Sequence, residues 1–219
     1  MAETKAVESA RHALVAELSR EVTDTRVLQA IGRVPRERFV PEEARRFAYE
    51  NRPLPIGEGQ TISQPLILAL MTQALQLEGT ETVLEVGTGS GYQAAVLSLL
   101  AKRVVSVERI PRLAERAGRL LADLGYSNVE VQVSGDRAGW PNAGPYEAII
   151  VTAASPEIPA ELLDQLALGG RLVIPVGSRT LQELVRIVKT ARGAERHNLG
   201  PCRFVPLLGP SGWPEPAAS

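Results

Sequence analysis

The sequence predicts an α/β fold: a mostly parallel central sheet with helices on both faces and an N-terminal helical extension. Three observations carry this. After Gly79, short apolar runs alternate with amphipathic stretches, the texture of strand–helix–strand units whose sheet is buried between helices. Before Gly79, apolar side chains recur at helical spacing. At the first strand-to-helix junction stand Gly87, Gly89 and Gly91, where bare backbone can approach a ligand and a helix N-terminus offers unpaired N–H groups.

In chain order, residues 8–18 and 24–31 read as two short helices, with Asp24 placed as the cap of the second. The run Val34-Pro35-Arg36-Glu37-Arg38-Phe39-Val40-Pro41 breaks the pattern. Residues 52–65, RPLPIGEGQTISQP, hold three prolines and two glycines; they read as too irregular for a regular element but short enough for an ordered functional loop. Residues 66–77 follow as a strongly apolar helix with Pro65 at its first position.

Strands are expected at 82–86, 103–108, 129–134, 148–152 and 171–175, and helices between them at 92–100, 111–124 and 159–166. Residues 181–189 and 202–208 read as a late antiparallel pair at the sheet edge, and 213–219 as a frayed tail. One compact unit is expected overall. Residues 1–78 form its helical extension with the substrate loop, 79–210 its ligand-binding domain, and 211–219 its flexible tail.

Composition narrows the function. A formal net charge of -1 gives no general attraction to nucleic acid. Cys202 is the only cysteine, so no internal disulfide or thiolate cluster can form, which suits a reducing cytosol. Its thiol reads either as a buried packing group or as a nucleophile. Charges interrupt every apolar run of the first 18 residues, so neither a signal peptide nor a membrane span is expected and the protein is placed in the cytoplasm. No metal site, nucleic-acid partner or membrane partner is expected, and the chain is read as a monomer.

Residues 83–92, VLEVGTGSGY, hold the glycine loop Gly87-Thr88-Gly89-Ser90-Gly91. A dinucleotide fingerprint spaces its glycines as G-x-G-x-x-G, whereas here the third glycine comes one residue early and Tyr92 takes its place. The compressed form favours a nucleoside ligand lacking a pyrophosphate, with Glu85 placed to meet the amino-acid end of such a ligand. Glu108 ends the next strand, where a carboxylate can accept both ribose hydroxyl protons. Asp136, following Gly135 after the third strand, is placed to accept an adenine amine. All three acids fall at the carboxyl ends of successive strands, where open parallel sheets bind ligands. Alternatively, the glycines only make a tight turn and the acids are solvated strand ends. A nicotinamide-dependent oxidoreductase is the rival enzyme class, against which Tyr92 argues.

Ser63 and Gln64 sit just ahead of Pro65, at the start of a helix whose positive end favours an incoming carboxylate. Ser63 reads equally as a helix cap. At this point the residues resemble a known family. Gly59-Gln60-Thr61-Ile62-Ser63-Gln64-Pro65, Met71, residues 83–92, Ser106-Val107-Glu108-Arg109, Ile149-Ile150-Val151-Thr152-Ala153-Ala154 and Pro156-Glu157-Ile158-Pro159 are similar to the protein-L-isoaspartate O-methyltransferases. Val34-Pro35-Arg36, Phe39-Val40-Pro41 and Arg203-Phe204-Val205-Pro206-Leu207 match the same family. The similarity spans nearly the whole chain, in order.

The resemblance implies a Rossmann-like fold binding S-adenosylmethionine, which leaves as S-adenosylhomocysteine, with last strands ordered differently from most methyltransferases. It implies methylation of the free carboxylate of L-isoaspartyl residues in damaged proteins and peptides, which are its partners, and repair through a succinimide. Ser63 becomes the active-site serine. Arg109 and Thr152 join the cofactor set, and Thr61, Ile62, Gln64, Phe204, Val205, Pro206 and Leu207 the substrate set. The backbone of residues 204–207 could pair with an extended peptide, or Phe204, Val205 and Leu207 could be ordinary core. The family pattern Gly-Asp-Gly departs here to Gly135-Asp136-Arg137-Ala138-Gly139-Trp140, leaving contacts beyond Asp136 open. His12 and His197 lie outside every ligand loop and read as surface or packing residues. A non-catalytic adaptor that recognises damaged peptides is the reading set against the enzyme.

Overall fold

The computed structural model describes residues 2–135 and 137–214. Helix α1 (Ala2–Leu18) and helix α2 (Thr25–Arg33) open the chain. Asp24 caps α2 as expected, its carboxylate accepting the Arg26 N–H at 2.9 Å. Val27, Ala30 and Ile31 turn inward from α2. Two 3-10 turns follow, Arg36–Phe39 and Glu42–Phe47, each led by a proline, Pro35 or Pro41.

The proline- and glycine-rich stretch expected to lack regular structure is a β-hairpin, β1 (Leu54–Gly57) against β2 (Gln60–Ile62). Leu54 and Ile56 alternate inward against Pro55 and Gly57 outward, the period of a half-buried strand. Gly57, Glu58 and Gly59 turn the chain with φ of 88°, 53° and 68°, a left-handed run that two glycines make inexpensive.

Helix α3 (Pro65–Ala74) begins with Pro65 in its first turn. Its expected end at residue 77 moves back, because Gln76 adopts φ 51°. The possible cap role of Ser63 is not taken up. The N-cap position is Gln64, without a side-chain cap, and the Asn51 carboxamide oxygen accepts the Leu66 N–H at 3.1 Å instead.

The main sheet uses β3 (Thr82–Val86), β4 (Arg103–Glu108), β5 (Val129–Val133), β6 (Tyr146–Val151), β7 (Leu166–Gly177), β8 (Gln182–Thr190) and β9 (Gly193–Cys202). Helices α4 (Tyr92–Ser98), α5 (Pro111–Asp123) and α6 (Ala160–Gln165) lie between them. The order is β5-β4-β3-β6-β7-β8-β9. The first five strands pair in parallel; β8 and β9 pair antiparallel, each beside its predecessor in sequence. The last strand is therefore residues 193–202, not the expected 202–208. Most of its side chains are exposed, so it carries no hydrophobic alternation for a sequence reading to detect.

Both sheet faces are covered, unequally. Val83, Val104, Ala148, Ile150 and Val173 point into the larger core with α1 to α4 and Leu121 of α5. Leu84, Val105, Val107, Ile149, Val151 and Leu172 point oppositely, toward Leu162 of α6, Ala138 and Tyr146. The start of β3 is fixed by the buried Glu81, whose carboxylate accepts the N–H groups of Glu78, Gly79 and Thr80 at 2.8 to 3.0 Å.

Beyond β9 the chain crosses the carboxyl end of the sheet. Ala154 N–H donates to Val205 C=O at 2.8 Å and Leu207 N–H to Ala154 C=O at 2.6 Å. Trp213, expected to fray, donates its N–H to Leu207 C=O at 2.7 Å; residues 215–219 lie outside the described residues. No helix among the described residues is long and apolar enough to cross a membrane.

Gln76 is exposed and holds the left-handed position where a helix end favours glycine. Gln76→Gly is expected to raise the unfolding free energy by about 1 kcal/mol; a lower midpoint in urea would contradict this account of the helix stop.

Candidate functional site

The site forms where β3 turns into α4. Gly87 and Thr88 N–H both donate to Val107 C=O, at 2.8 and 3.2 Å, so the loop folds back over β4. Gly87 has φ 101°, and a Cβ there would stand 2.4 Å from Thr152 Oγ1. Thr152 in turn donates its hydroxyl to Gly87 C=O at 2.7 Å. Backbone and side chain thus meet at a distance only glycine permits. Gly91 has a different duty: its φ is 87°, and a Cβ would press on Leu121 and Ala117 of α5 at 3.2 and 3.3 Å. It seats α4 and lines neither cavity described below.

Three acids were expected at the strand ends. Glu85 is fully buried on β3 and accepts a hydrogen bond from Ser106 Oγ at 2.6 Å. Because the single Ser106 proton is used there, Thr88 donates to Ser106 in the 2.5 Å contact between their hydroxyls. Ser106 was part of the quoted motif but was given no role; its small polar side chain in an apolar strand was the available signal. Glu85 Oε1 has no partner. Burial, opposed by the Ser106 hydrogen bond and aided by the charge of Glu108, pushes the Glu85 carboxyl up to about 8.

Glu108 closes β4 and holds two backbone amides, Gly89 N–H on Oε2 and Ile110 N–H on Oε1, both at 2.9 Å. One carboxylate thereby fixes both the glycine loop and the start of α5. Each oxygen keeps a lone pair for a further donor. Asp136, the third acid, lies outside the described residues.

Glu108 faces a cleft at the carboxyl ends of the strands. One wall holds Gly87, Gly89, Glu108, Arg109, Ile110, Ser134, Gly135, Arg137 and Thr152; the other holds Gln60, Thr61 and residues 205–212. The turn after Gly135 is tied to α6: Ala138 N–H donates to Glu161 at 3.0 Å and Trp140 N–H to Gln165 at 2.7 Å. The Arg137-Ala138 departure is therefore accommodated by α6, with Arg137 left lining the cleft. Ser211 donates its hydroxyl to the same Glu161 oxygen at 2.8 Å, joining the two walls.

A smaller cavity adjoins the cleft through shared Thr61, Gly87, Gly89 and Thr152. It is lined also by Ile62, Ser63, Leu68, Glu85, Thr88, Ser90, Tyr92 and Gln93. Ser63 is thus brought against the glycine loop. Its hydroxyl takes part in no hydrogen bond among the described residues, while its carbonyl accepts one from Arg36 Nη2 at 2.8 Å.

Two expected substrate residues lie elsewhere. Gln64 lines neither cavity and spends its carboxamide on Asn51 C=O at 3.1 Å. Phe204 packs against the larger core, whereas Val205, Pro206 and Leu207 do line the cleft. Their backbone is already largely committed: Val205 C=O, Leu207 N–H and Leu207 C=O are bonded internally, and Pro206 has no N–H. That leaves few groups for pairing with a peptide strand. Cys202 lines neither cavity; burial, with Glu183 nearby, raises its thiol to about 11, so the nucleophile reading falls. His12 and His197 are exposed and line neither cavity.

The family model described as Protein-L-isoaspartate(D-aspartate) O-methyltransferase matches residues 9–212. Protein-L-isoaspartate O-methyltransferase 1 of Syntrophobacter fumaroxidans is 56% identical over 196 residues, covering 90% of this chain and 92% of its own. A solved structure named protein-L-isoaspartate O-methyltransferase superposes with a TM-score of 0.84 at 30% identity, over 92% of this chain and 67% of that one. A Plasmodium falciparum structure described as a beta-aspartate methyltransferase in complex with S-adenosyl-L-homocysteine shares the fold, with a TM-score of 0.75 at 24% identity over 88% of this chain and 95% of that one.

Gly87→Ala places a methyl group inside the Thr152 contact in a left-handed backbone. A loss of about 2–4 kcal/mol is expected in urea denaturation; a variant as stable as the parent would show that the close approach is dispensable.

Proposed function

The chain belongs to the protein-L-isoaspartate(D-aspartate) O-methyltransferase family, and from that membership we propose how its side chains divide the work. The enzyme transfers a methyl group from S-adenosylmethionine to the free carboxylate of an L-isoaspartyl residue in a damaged protein or peptide, and repair proceeds from the ester through a succinimide. The reading of the acceptor site is carried by one observation: the Ser63 hydroxyl is unspent and shares its cavity with Glu85 and the glycine loop.

The residues present suit the methyl donor. Glu85 Oε1 is a buried acceptor without a partner, placed for the ammonium of an amino-acid moiety. Glu108 has lone pairs remaining for ribose hydroxyls, and the bare backbone of Gly87 and Gly89 admits a close ligand. Thr88 and Ser90 line the cavity beside Glu85, while Arg109, Gly135 and Thr152 line the cleft around Glu108. Assignment of Asp136 to the adenine amine rests on its sequence position between Gly135 and Arg137, both of which line the cleft. When bound, S-adenosylmethionine supplies a methyl group already activated on a sulfonium.

The chain's own task is then alignment. A free side-chain carboxylate of ordinary pKa near 4 is ionised at neutral pH, so no general base is needed. Ser63 donates a hydrogen bond that orients it; the bond itself is worth only about 1 kcal/mol net, too little to quench the oxygen, and the alignment it enforces carries the larger share of the rate. Neither histidine lines the cavity that holds Ser63, so no imidazole is in place there to make it a covalent nucleophile. Thr61 and Ile62 form the same rim. Residues 205–207 form the opposite wall and help exclude water. Positioning of this kind is worth effective molarities on the order of 10⁵ M or more. The protein is read as a monomer, and its single cysteine supports placement in a reducing cytoplasm.

Ser63→Ala is expected to lower methyl transfer to an isoaspartyl peptide by roughly tenfold to a hundredfold while S-adenosylhomocysteine affinity measured by calorimetry stays unchanged. Undiminished turnover would remove Ser63 from the mechanism. A ligand ammonium favours ionised Glu85, so binding lowers its pKa and releases a proton. Affinity for S-adenosylhomocysteine should therefore rise with pH, approaching tenfold per unit, and level off above about pH 8. Glu85→Gln should flatten that dependence, and a flat profile in the parent protein would exclude the assignment.

A further inference from the structure

Arg36 is the largest fully buried side chain in the protein, with 0% of its surface exposed. No ion pair is formed by it among the described residues. Its Nε donates to Ala48 C=O at 2.8 Å and its Nη2 to Ser63 C=O at 2.8 Å. The guanidinium carbon lies 4.8 Å from the centroid of the Tyr92 ring, and Phe39 meets the same ring edge-on with centroids 5.5 Å apart. Arg36 Nη1 and the Tyr92 hydroxyl are both buried without hydrogen-bond partners.

Burying a guanidinium without an acid costs several kcal/mol, and an apolar residue of similar volume would serve packing better. What an apolar residue could not do is hold two carbonyls and an aromatic face in one rigid plane. The carbonyl held at one corner belongs to Ser63. The ring beneath the plane belongs to Tyr92, the first residue of α4, directly after the glycine loop. One planar group therefore spans the acceptor loop and the donor loop.

We propose that Arg36 is a positioning residue for methyl transfer: by fixing the Ser63 carbonyl against the face of Tyr92, it sets the direction of the Ser63 hydroxyl relative to the glycine loop. The physical route is short. A pinned carbonyl fixes the peptide plane between Ser63 and Gln64 on one side, β2 ending at Ile62 holds the chain on the other, and between them the Cα–Cβ direction of Ser63 is set. The inference rests on the role of Ser63 proposed above and adds the group that aims it. Lysine cannot replace the fork, because a single ammonium on a flexible stem does not keep both carbonyls and the ring in register.

The test is a double-mutant cycle on the full chain, with labelled methyl transfer to an isoaspartyl peptide, S-adenosylhomocysteine affinity and thermal melting read for each variant. Arg36→Lys is expected to lower kcat about tenfold or more, with peptide KM and S-adenosylhomocysteine Kd within about threefold of the parent. Arg36→Gln, which keeps an N–H donor and removes the buried charge, should fold even where the lysine variant does not, and should show the same kcat-selective loss. In a Ser63→Ala background either substitution should change kcat less than about twofold, since there is no hydroxyl left to aim. Equal losses in both backgrounds would overturn the proposal and leave Arg36 a fold staple, as would an unchanged kcat in a folded Arg36 variant. If Ser63→Ala alone were without effect, the failure would lie with the serine assignment, and the single variant would reveal it.

Discussion

The arrangement depends on the place of β3 in the middle of the sheet. The chain leaves β3 toward β4 on one side and reaches β6 on the other, so the connections after β3 and β6 diverge and a crevice opens above their carboxyl ends. Into that crevice the fold presses Gly87 against Thr152. The near-contact keeps the loop low, so that its bare backbone lines the cleft instead of capping it. Removing side-chain volume at Gly87 is a condition of the site, not a by-product of a turn.

Glu108 works on the same seam from the next strand. By holding Gly89 and Ile110 with its two oxygens, it sets the loop and α5 in relation to each other. Ser106, two residues earlier on the same face of β4, reaches Glu85 and Thr88. Two alternate residues of one strand thus organise the glycine loop where it borders both the cleft and the smaller cavity. This preorganisation suits an enzyme whose nucleophile and methyl donor both arrive activated, so that alignment is the main task left to the protein.

Where residues carry a periodic signal, the fold was legible from them. Strands 82–86 and 103–108 stand at the expected positions, and Asp24 caps α2, because alternation and capping are local properties. The hairpin β1–β2 was missed because prolines and glycines mark turns without saying that a turn joins two short strands. Strand β9 was missed because an exposed edge held by backbone bonds needs no apolar period. Within the site, the glycine loop, Glu85, Glu108 and Ser63 were visible as motif residues. Gln64 and Phe204 entered the substrate set through the family resemblance; here one bonds to Asn51 and the other packs inward. The Arg36 fork could not be seen at all, since it joins residues 27 and 12 positions apart, a separation set by tertiary folding alone.

The clasp at Glu161 has an optical consequence. The chain has two tryptophans, and they stand at the two ends of this clasp. Trp140 closes the turn beyond Gly135, with its N–H on Gln165. Trp213 ends the strap that carries Ser211, with Arg179 5.1 Å from its ring centroid. The larger core around α1 to α4 has no tryptophan among its members. Intrinsic tryptophan emission from this protein therefore comes from the two ends of the clasp beside the cleft, so the signal during unfolding follows that side of the sheet while the N-terminal core stays dark.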